Sequence, residues 1–303
     1  MLTTTLGKTG LKVSRMGLGC GGHSRLGMSR GSSKEEAARV VREAIDLGVN
    51  FIDTAEGYRT EEAVALGIAD VPRDSVVLST KVGTDLQDRP ATAKETRERV
   101  DGCLRRLGTD YIDILHLHGV LLEGYPHALE VLYPELAAMR DEGKIRHIGI
   151  TEAFGRDTNH RMLGPAVQEG PWEVVMVGFN LLNPSARKTV LPHTKDRGIG
   201  TLCMFAVRRA LSNQEALLSL LEELGSPVKD LDFLKGQGVA GSIEGAAYRF
   251  CLWEPGMDVI LSGTGNIAHL RQNAKALEGP PLSDEILEKL LEAFGEVDSV
   301  SGN

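Results

Sequence analysis

Cysteine is scarce in this 303-residue chain: Cys20, Cys103, Cys203 and Cys251 stand far apart, with no CxxC pair or other metal spacing. That fits a reducing cytoplasm better than a disulfide scaffold, and the four thiols read as small buried hydrophobes. Long apolar runs are missing too. No segment nears the ~18 continuous apolar residues of a spanning helix, and Met1-Leu2-Thr3-Thr4 lacks the basic and apolar regions of a signal peptide, so a cytoplasmic protein with no membrane partner is expected. Nor is there an excess of positive charge. With 34 basic and 42 acidic residues the net charge is -8, which argues against nucleic acid or anionic lipid as the main partner and makes any anion site a local one. Low-complexity tracts, short repeats and long Pro/Gly/Ser linkers are absent, so a single domain over 1–303 is the simplest organisation. A chain of this length buries about three quarters of its unfolded surface without staples. Its oligomeric state is not legible.

What the chain does carry is a regular alternation of short apolar runs and amphipathic stretches. Residues 2–15 hold turn signals at Gly7-Lys8 and Thr9-Gly10 between β-prone pieces, a hairpin that could plug one end of a barrel. Arg15–Gly19 is a short strand that breaks into Gly19-Cys20-Gly21-Gly22, a cluster able to admit a ligand close to the backbone, followed by a polar loop. Ser33 and Glu36 form a capping box before the stripe Ala37, Val40, Val41, Ala44 and Ile45, and Gly48 closes that helix. The unit then recurs: strand 49–53, helix 60–69, strand 76–80, helix 92–107 with a Thr92/Glu95 box and a Gly108 stop, strand Tyr111–Leu117. Next come helix 127–142, limited or kinked by Pro134, strand 145–150, helix 157–168, strand 173–178, helix 185–197 and strand 200–204. A polar insertion over 208–238 precedes helix 242–252, strand 258–261 and a helix from Asn266. Eight strand–helix pairs predict an α/β fold, a (β/α)8 TIM barrel rather than an open doubly wound sheet. Ser283 caps an extra C-terminal helix bearing Leu287, Leu290, Leu291 and Phe294.

In such a barrel the functional side chains gather where strands end. The stretch Asn50-Phe51-Ile52-Asp53-Thr54-Ala55-Glu56-Gly57-Tyr58 closes an apolar run with an acid and sets a phenol five residues further on. Strand alternation points Phe51 and Asp53 to one face, and the polar turn lifts Tyr58 to the mouth. Lys81 follows strand three; His116 and His118 close strand four on the face shared by Ile112 and Ile114. Singly, these read as a strand-end cap, a packed ring, a surface charge and a satisfied core histidine. An acid, a phenol, an ammonium and an imidazole at one mouth point to proton transfer.

Asp53-Thr54-Ala55-x-x-Tyr58, Ser79-Thr80-Lys81-Val82, Asp110-Tyr111-Ile112-Asp113 ending in Leu117-His118, and Gly143-Lys144-Ile145-Arg146-x-Ile148-Gly149-Ile150 resemble, in order and spacing, the signatures of the aldo-keto reductase superfamily. The resemblance implies a catalytic tetrad of Asp53, Tyr58, Lys81 and His118 beneath a nicotinamide cofactor. Lys81 would favour the Tyr58 phenolate and bring a phenol of pKa ~10 toward the working range, Asp53 would hold Lys81 charged, and His118 would orient the substrate carbonyl.

For the cofactor, the same resemblance points to Gly19, Cys20 and Asp53 along the first strands. Thr151, Glu152 and Met176 stand where the family carries Ser, Asn and Gln for the nicotinamide carboxamide. In Met204-Phe205-Ala206-Val207, Met204 or Phe205 would stack beneath the ring, with Val207 beside it. The stretch Gly263-Thr264-Gly265-Asn266 through His269, Gln272 and Asn273 is similar to the adenosine phosphate loop, a helix start suited to an anion. NADPH is expected, with NADH possible, and a small-molecule carbonyl as substrate. Three activities are open: reduction of an aldehyde, ketone or sugar; aldose or alcohol oxidation; and nucleotide sensing with little turnover. The loops His23–Arg30 and Gly119–Tyr125 and the insertion after Arg208 should line the substrate pocket.

Overall fold

The computed structural model describes residues 1–87, 89–236 and 240–303. Eight parallel strands close into a barrel: Met16–Gly19, Phe51–Asp53, Val77–Gly83, Ile112–Val120, Ile145–Glu152, Val174–Gly178, Gly200–Met204 and Val259–Ser262, hereafter barrel strands one to eight. Strand eight pairs with strand one, Ile260 opposite Met16 and Ser262 opposite Leu18, which completes the closure. The expected (β/α)8 architecture is therefore present.

The N-terminal hairpin, Thr3–Thr5 against Lys12–Ser14, plugs the barrel at the end where its strands begin. Leu6 and Val13 pack there with Phe51, Val77, Ile114, Val174, Leu202 and Val259. Space for this plug comes from glycine. A Cβ at Gly200 would lie 2.6 Å from Leu6 Cγ, and Gly7, at φ +46°, approaches the Gly198–Gly200 backbone too closely for any side chain.

Between the strands, helices start and stop where the caps direct. Ser33 and Thr92 each accept from the third helical N–H while Glu36 and Glu95 reach back, closing both capping boxes. Gly108, in the left-handed region, terminates the helix Ala93–Leu107. Ser283 caps Asp284–Phe294, whose Leu290 and Phe294 are buried against the outer core. Each such side chain contributes about 1.5–3 kcal/mol.

Three helices differ from the sequence pattern. Expected as one helix over 127–142, the segment is built from Tyr125–His127, a wide π turn at Ala128–Leu132 and Tyr133–Asp141. Pro134 has no N–H to give the preceding turn, and the wider turn accommodates it. The helix expected over 157–168 spans only Leu163–Gln168, because Asp157 accepts from Arg161 N and Met162 N and His160 sits at φ +61°. The stretch 185–197 divides into Ala186–Thr189 and Leu191–Arg197, with Pro192 in the first turn of the second. The insertion over 208–238, expected to be polar, contains the amphipathic helix Gln214–Glu223, with Leu217, Leu220 and Leu221 buried; its residues 237 and 238 lie outside the described residues. No helix among the described residues is long and apolar enough to cross a membrane.

Candidate functional site

Barrel strand two ends in Asp53, which faces the interior above Phe51, and barrel strand three brings Ser79 and Lys81 beside it. The Lys81 ammonium donates to both Asp53 oxygens, at 2.7 and 2.6 Å, and to the Thr54 carbonyl at 2.7 Å. Ser79 Oγ donates to Asp53 Oδ1 at 2.8 Å. Lys81 is 0% exposed, so its ammonium is held by these three oxygens. Burial works to lower the Lys81 pKa, but the Asp53 charge and the Tyr58 phenol raise it above the ordinary ammonium value. Asp53 is raised by burial, with Lys81 and Ser79 opposing.

Tyr58 closes the short turn Glu56–Tyr58 that follows strand two. Lys81 Nζ lies 5.0 Å from its ring centroid, and its Oη lies 3.3 Å from His118 Nε2. The two rings meet edge to face, centroids 5.4 Å apart. Burial pushes the His118 pKa down to about 3, helped by Lys81 and Arg99, so the imidazole is neutral. Lys81 was expected to bring Tyr58 down toward neutral pH. Instead, burial pushes the phenol above its ordinary value while Lys81 only opposes the rise. The group at the mouth is thus a neutral phenol, able to donate a proton.

The second histidine of strand four is placed differently. His116 lies deep in the barrel across Gly149, where a Cβ would come within 2.3 Å of its Nδ1. Its pKa is held well below the ordinary value by burial, then by Lys81 and His118.

A further clamp was not legible in the sequence. Arg99, on helix Ala93–Leu107, donates to Gly83 O at 2.8 Å and to Glu56 through both Nε, at 3.1 Å, and Nη2. Glu56 Oε1 also accepts from Gly83 N at 3.1 Å. Gly83 pairs with His118 across strands three and four. One guanidinium thereby ties the turn bearing Tyr58 to the strand bearing Lys81, and a cleft of about 780 Å³ lies behind that turn, lined in part by Arg59, Arg99 and Arg106.

Around the rest of the mouth, the residues expected at a cofactor are distributed unevenly. Cys20 N donates to Asp53 O at 2.8 Å, and burial and Asp53 push its thiol far up, so it is an inert neighbour. Gly19 and Gly263 approach so closely that a Cβ on Gly263 would sit 2.9 Å from Gly19 O, and Gly265 packs likewise against Gly27. Thr264 Oγ1 accepts from Asn266 N, while Asn266 Oδ1 accepts from Ala268 N and His269 N and so caps helix Ile267–Ala276. His269 and Gln272 stand exposed, whereas Asn273 Nδ2 turns inward to Ser262 Oγ at 2.9 Å.

On the opposite rim, Thr151 Oγ1 accepts from Gly119 N at 2.7 Å. Glu152 is turned toward His160 and Gly178 N, and Met176 is buried in the inner layer with Ile114, Val174 and Leu202. Met176 and Thr151 are register partners on neighbouring strands, whereas Glu152 faces the other way. Met204 is partly buried, Val207 lies at the edge, and Phe205, at φ +69°, carries the Arg208 guanidinium 3.7 Å over its ring. Phe154, His160, Ser185 and Asn183 join this rim with no motif to announce them. The close approach of Gly19 to Gly263 and the Phe205 ring are the features of this rim that would meet a dinucleotide, whereas the first N–H groups of the helix Ile267–Ala276 are already taken by Asn266.

The family model described as "Aldo/keto reductase family" matches residues 15–293. The L-galactose dehydrogenase of Arabidopsis thaliana is 33% identical over 229 residues, covering 73% of this chain and 67% of the relative. The aldo-keto reductase YhdN of Bacillus subtilis is 30% identical over 293 residues, covering 86% and 84%. Among solved structures, the holo form of aldo-keto reductase AKR11C1 from Bacillus halodurans superimposes with a TM-score of 0.77 over 100% of both chains at 24% identity, a likeness of fold.

Proposed function

This chain belongs to the aldo/keto reductase family, a family of oxidoreductases, and from that membership we propose that it reduces the carbonyl of a small aldehyde, ketone or sugar with a nicotinamide cofactor. The observation that carries the proposal is the arrangement of Tyr58: a neutral phenol 3.3 Å from a neutral imidazole, over an ammonium locked by Asp53. A nicotinamide bound at the mouth supplies the hydride, or takes it up in the reverse reaction.

The chain's own residues handle the proton. Tyr58 donates its hydroxyl proton to the carbonyl oxygen as negative charge develops there, and Lys81 stabilises the phenolate that remains. Asp53 and Ser79 keep Lys81 charged and aimed. His118, being neutral, offers the carbonyl a hydrogen bond without competing for its proton.

Gly19, Cys20, Gly263, Thr264, Gly265 and Asn266 would hold the phosphates, with His269, Gln272 and Asn273 beside them; Thr151, Met204, Phe205 and Val207 would flank the ring. NADPH is preferred modestly to NADH in this reading, since the phosphate loop combines glycine, hydroxyl and the exposed His269. A cytoplasmic location accords with the four unpaired cysteines. A second reading, oxidation of an aldose or alcohol, is supported by the relative named L-galactose dehydrogenase. A third, nucleotide sensing with little turnover, draws on the Glu152 side chain being already engaged.

Cofactor fluorescence titrations with NADPH and NADH at one salt concentration, combined with steady-state turnover in both directions on a carbonyl and sugar panel, separate the three. Binding with turnover toward alcohol is expected. Binding without turnover in either direction would leave only the sensor.

A further inference from the structure

Where barrel strand five ends, Glu152 is buried and accepts from two sides. Gly178 N donates to Oε1 at 2.7 Å, and His160 Nδ1 lies 3.0 and 2.9 Å from the two oxygens. His160 is equally buried, and its Nε2 lies 3.0 Å from Ser185 Oγ. Serine, histidine and glutamate in this order resemble a nucleophilic relay. The hydrogen bonds around Ser185 oppose a nucleophilic role.

Asn183 Nδ2 donates to two carbonyls, Thr158 O at 3.0 Å and Val300 O at 2.8 Å, so the orientation of its amide is fixed and its Oδ1 is an acceptor. Ser185 Oγ stands 2.6 Å from that Oδ1, a separation two oxygens adopt only with a proton between them. The Ser185 hydroxyl proton is therefore committed to Asn183, and Ser185 can only accept from His160. Nε2 of His160 must carry a proton. A second proton is shared between Nδ1 and the Glu152 carboxyl, which burial pushes above its ordinary value while His160 pulls it back. Glutamate and histidine together carry no net charge.

The consequence reaches the mouth through a chain of ring contacts. Phe154 lies nearly parallel to His160, centroids 5.4 Å apart and planes within 13°. The Phe154 ring also covers Gly178, where a Cβ would meet Phe154 Cγ at 2.1 Å. Phe154 in turn abuts Phe205, centroids 5.9 Å apart.

We propose that Glu152 and His160 form a proton-sharing positioning pair that fixes Phe154, and through it Phe205, as the aromatic shelf of the nicotinamide site. Glu152 then supports that shelf and does not take the carboxamide itself. The pair makes an acidic residue tolerable where the family resemblance points to asparagine, because His160 neutralises it. This inference rests on the cofactor reading above.

The first test needs no cofactor. Nitrogen–proton NMR of the imidazoles in the full chain is expected to show the His160 Nε2 proton, slow to exchange with solvent and identified by its loss in His160→Gln. An unprotonated Nε2 overturns the proposal, whatever the enzyme turns over. The second test is a pair of variants, His160→Leu and Glu152→Gln/His160→Leu, read by cofactor dissociation constant well below each melting temperature. The single change strands the carboxylate and is expected to weaken binding about tenfold, and the double change to recover part of that loss. A His160→Leu protein that stays folded and binds cofactor as tightly as the parent overturns the positioning role. Absence of cofactor binding by the parent protein would instead refute the proposed function, leaving the protonation result to stand by itself.

Discussion

The Lys81 ammonium is closed off from solvent against Asp53, 2.6 Å from one carboxylate oxygen and 2.7 Å from the other, so neither charge has water as a substitute partner. Such a pair is costly to break from one side. Lys81→Met leaves the Asp53 carboxylate buried and unpaired, for an expected loss of about 3–5 kcal/mol in stability on top of slower turnover. Denaturant melts check it. A variant as stable as the parent would show that Asp53 had simply taken up a proton.

Tyr58→Phe keeps the ring that fills the space above Gly21 and removes only the hydroxyl. Turnover is expected to fall by about 10²-fold or more, with the cofactor dissociation constant little changed. Single-turnover kinetics with pre-bound cofactor give the answer directly, and a fall smaller than threefold would assign the proton to another donor.

Acid sensitivity follows from His118. Its pKa in the folded chain is about 3, below the ordinary histidine value near 6.5, so below that value the unfolded chain binds the proton first. The sign is therefore loss: stability present above pH ~6.5 is lost progressively as pH falls toward 3. His118→Gln is expected to flatten the pH dependence of stability between pH 6.5 and 4. An unchanged slope would mean that the imidazole titrates while folded.

Arg99→Met should act on turnover more than on binding. Arg99 and Glu56 are both partly exposed, so their mutual charge attraction is screened; what is lost is the tie between the Tyr58 turn and Gly83. A decrease in kcat of about tenfold with cofactor affinity preserved is expected, partly restored in Arg99→Lys. Equal losses in kcat and cofactor affinity would indicate a general disturbance.

Met176→Gln would place an amide in the inner apolar layer beside Val174, Ile114 and Leu202. Without a partner there it should cost about 1–3 kcal/mol in stability, without tighter cofactor binding. Thermal melts paired with fluorescence titration measure both, and tighter binding in a stable variant would show that the new amide had reached the mouth.

Periodicity and caps were enough to place the barrel, because each signal is local. A Ser33 hydroxyl finds Glu36 within one helical turn, and Asp53 shares a face with Phe51 by strand alternation alone. Strand ends located Asp53, Lys81 and His118 at one mouth for the same reason. Long-range neighbours were not legible. Arg99 reaches Glu56 across 43 positions and Ser185 meets His160 across 25, separations no short motif encodes. Burial, likewise, is a property of the closed barrel. It keeps the Tyr58 phenol neutral in spite of Lys81, sends Met176 into the inner layer, and turns Glu152 away from the mouth toward His160. Residue order determined which chemistry was available at the ends of the strands. Tertiary packing decided which of those groups keep their protons and which are consumed by one another, since desolvation and hydrogen-bond geometry exist only once the chain has closed.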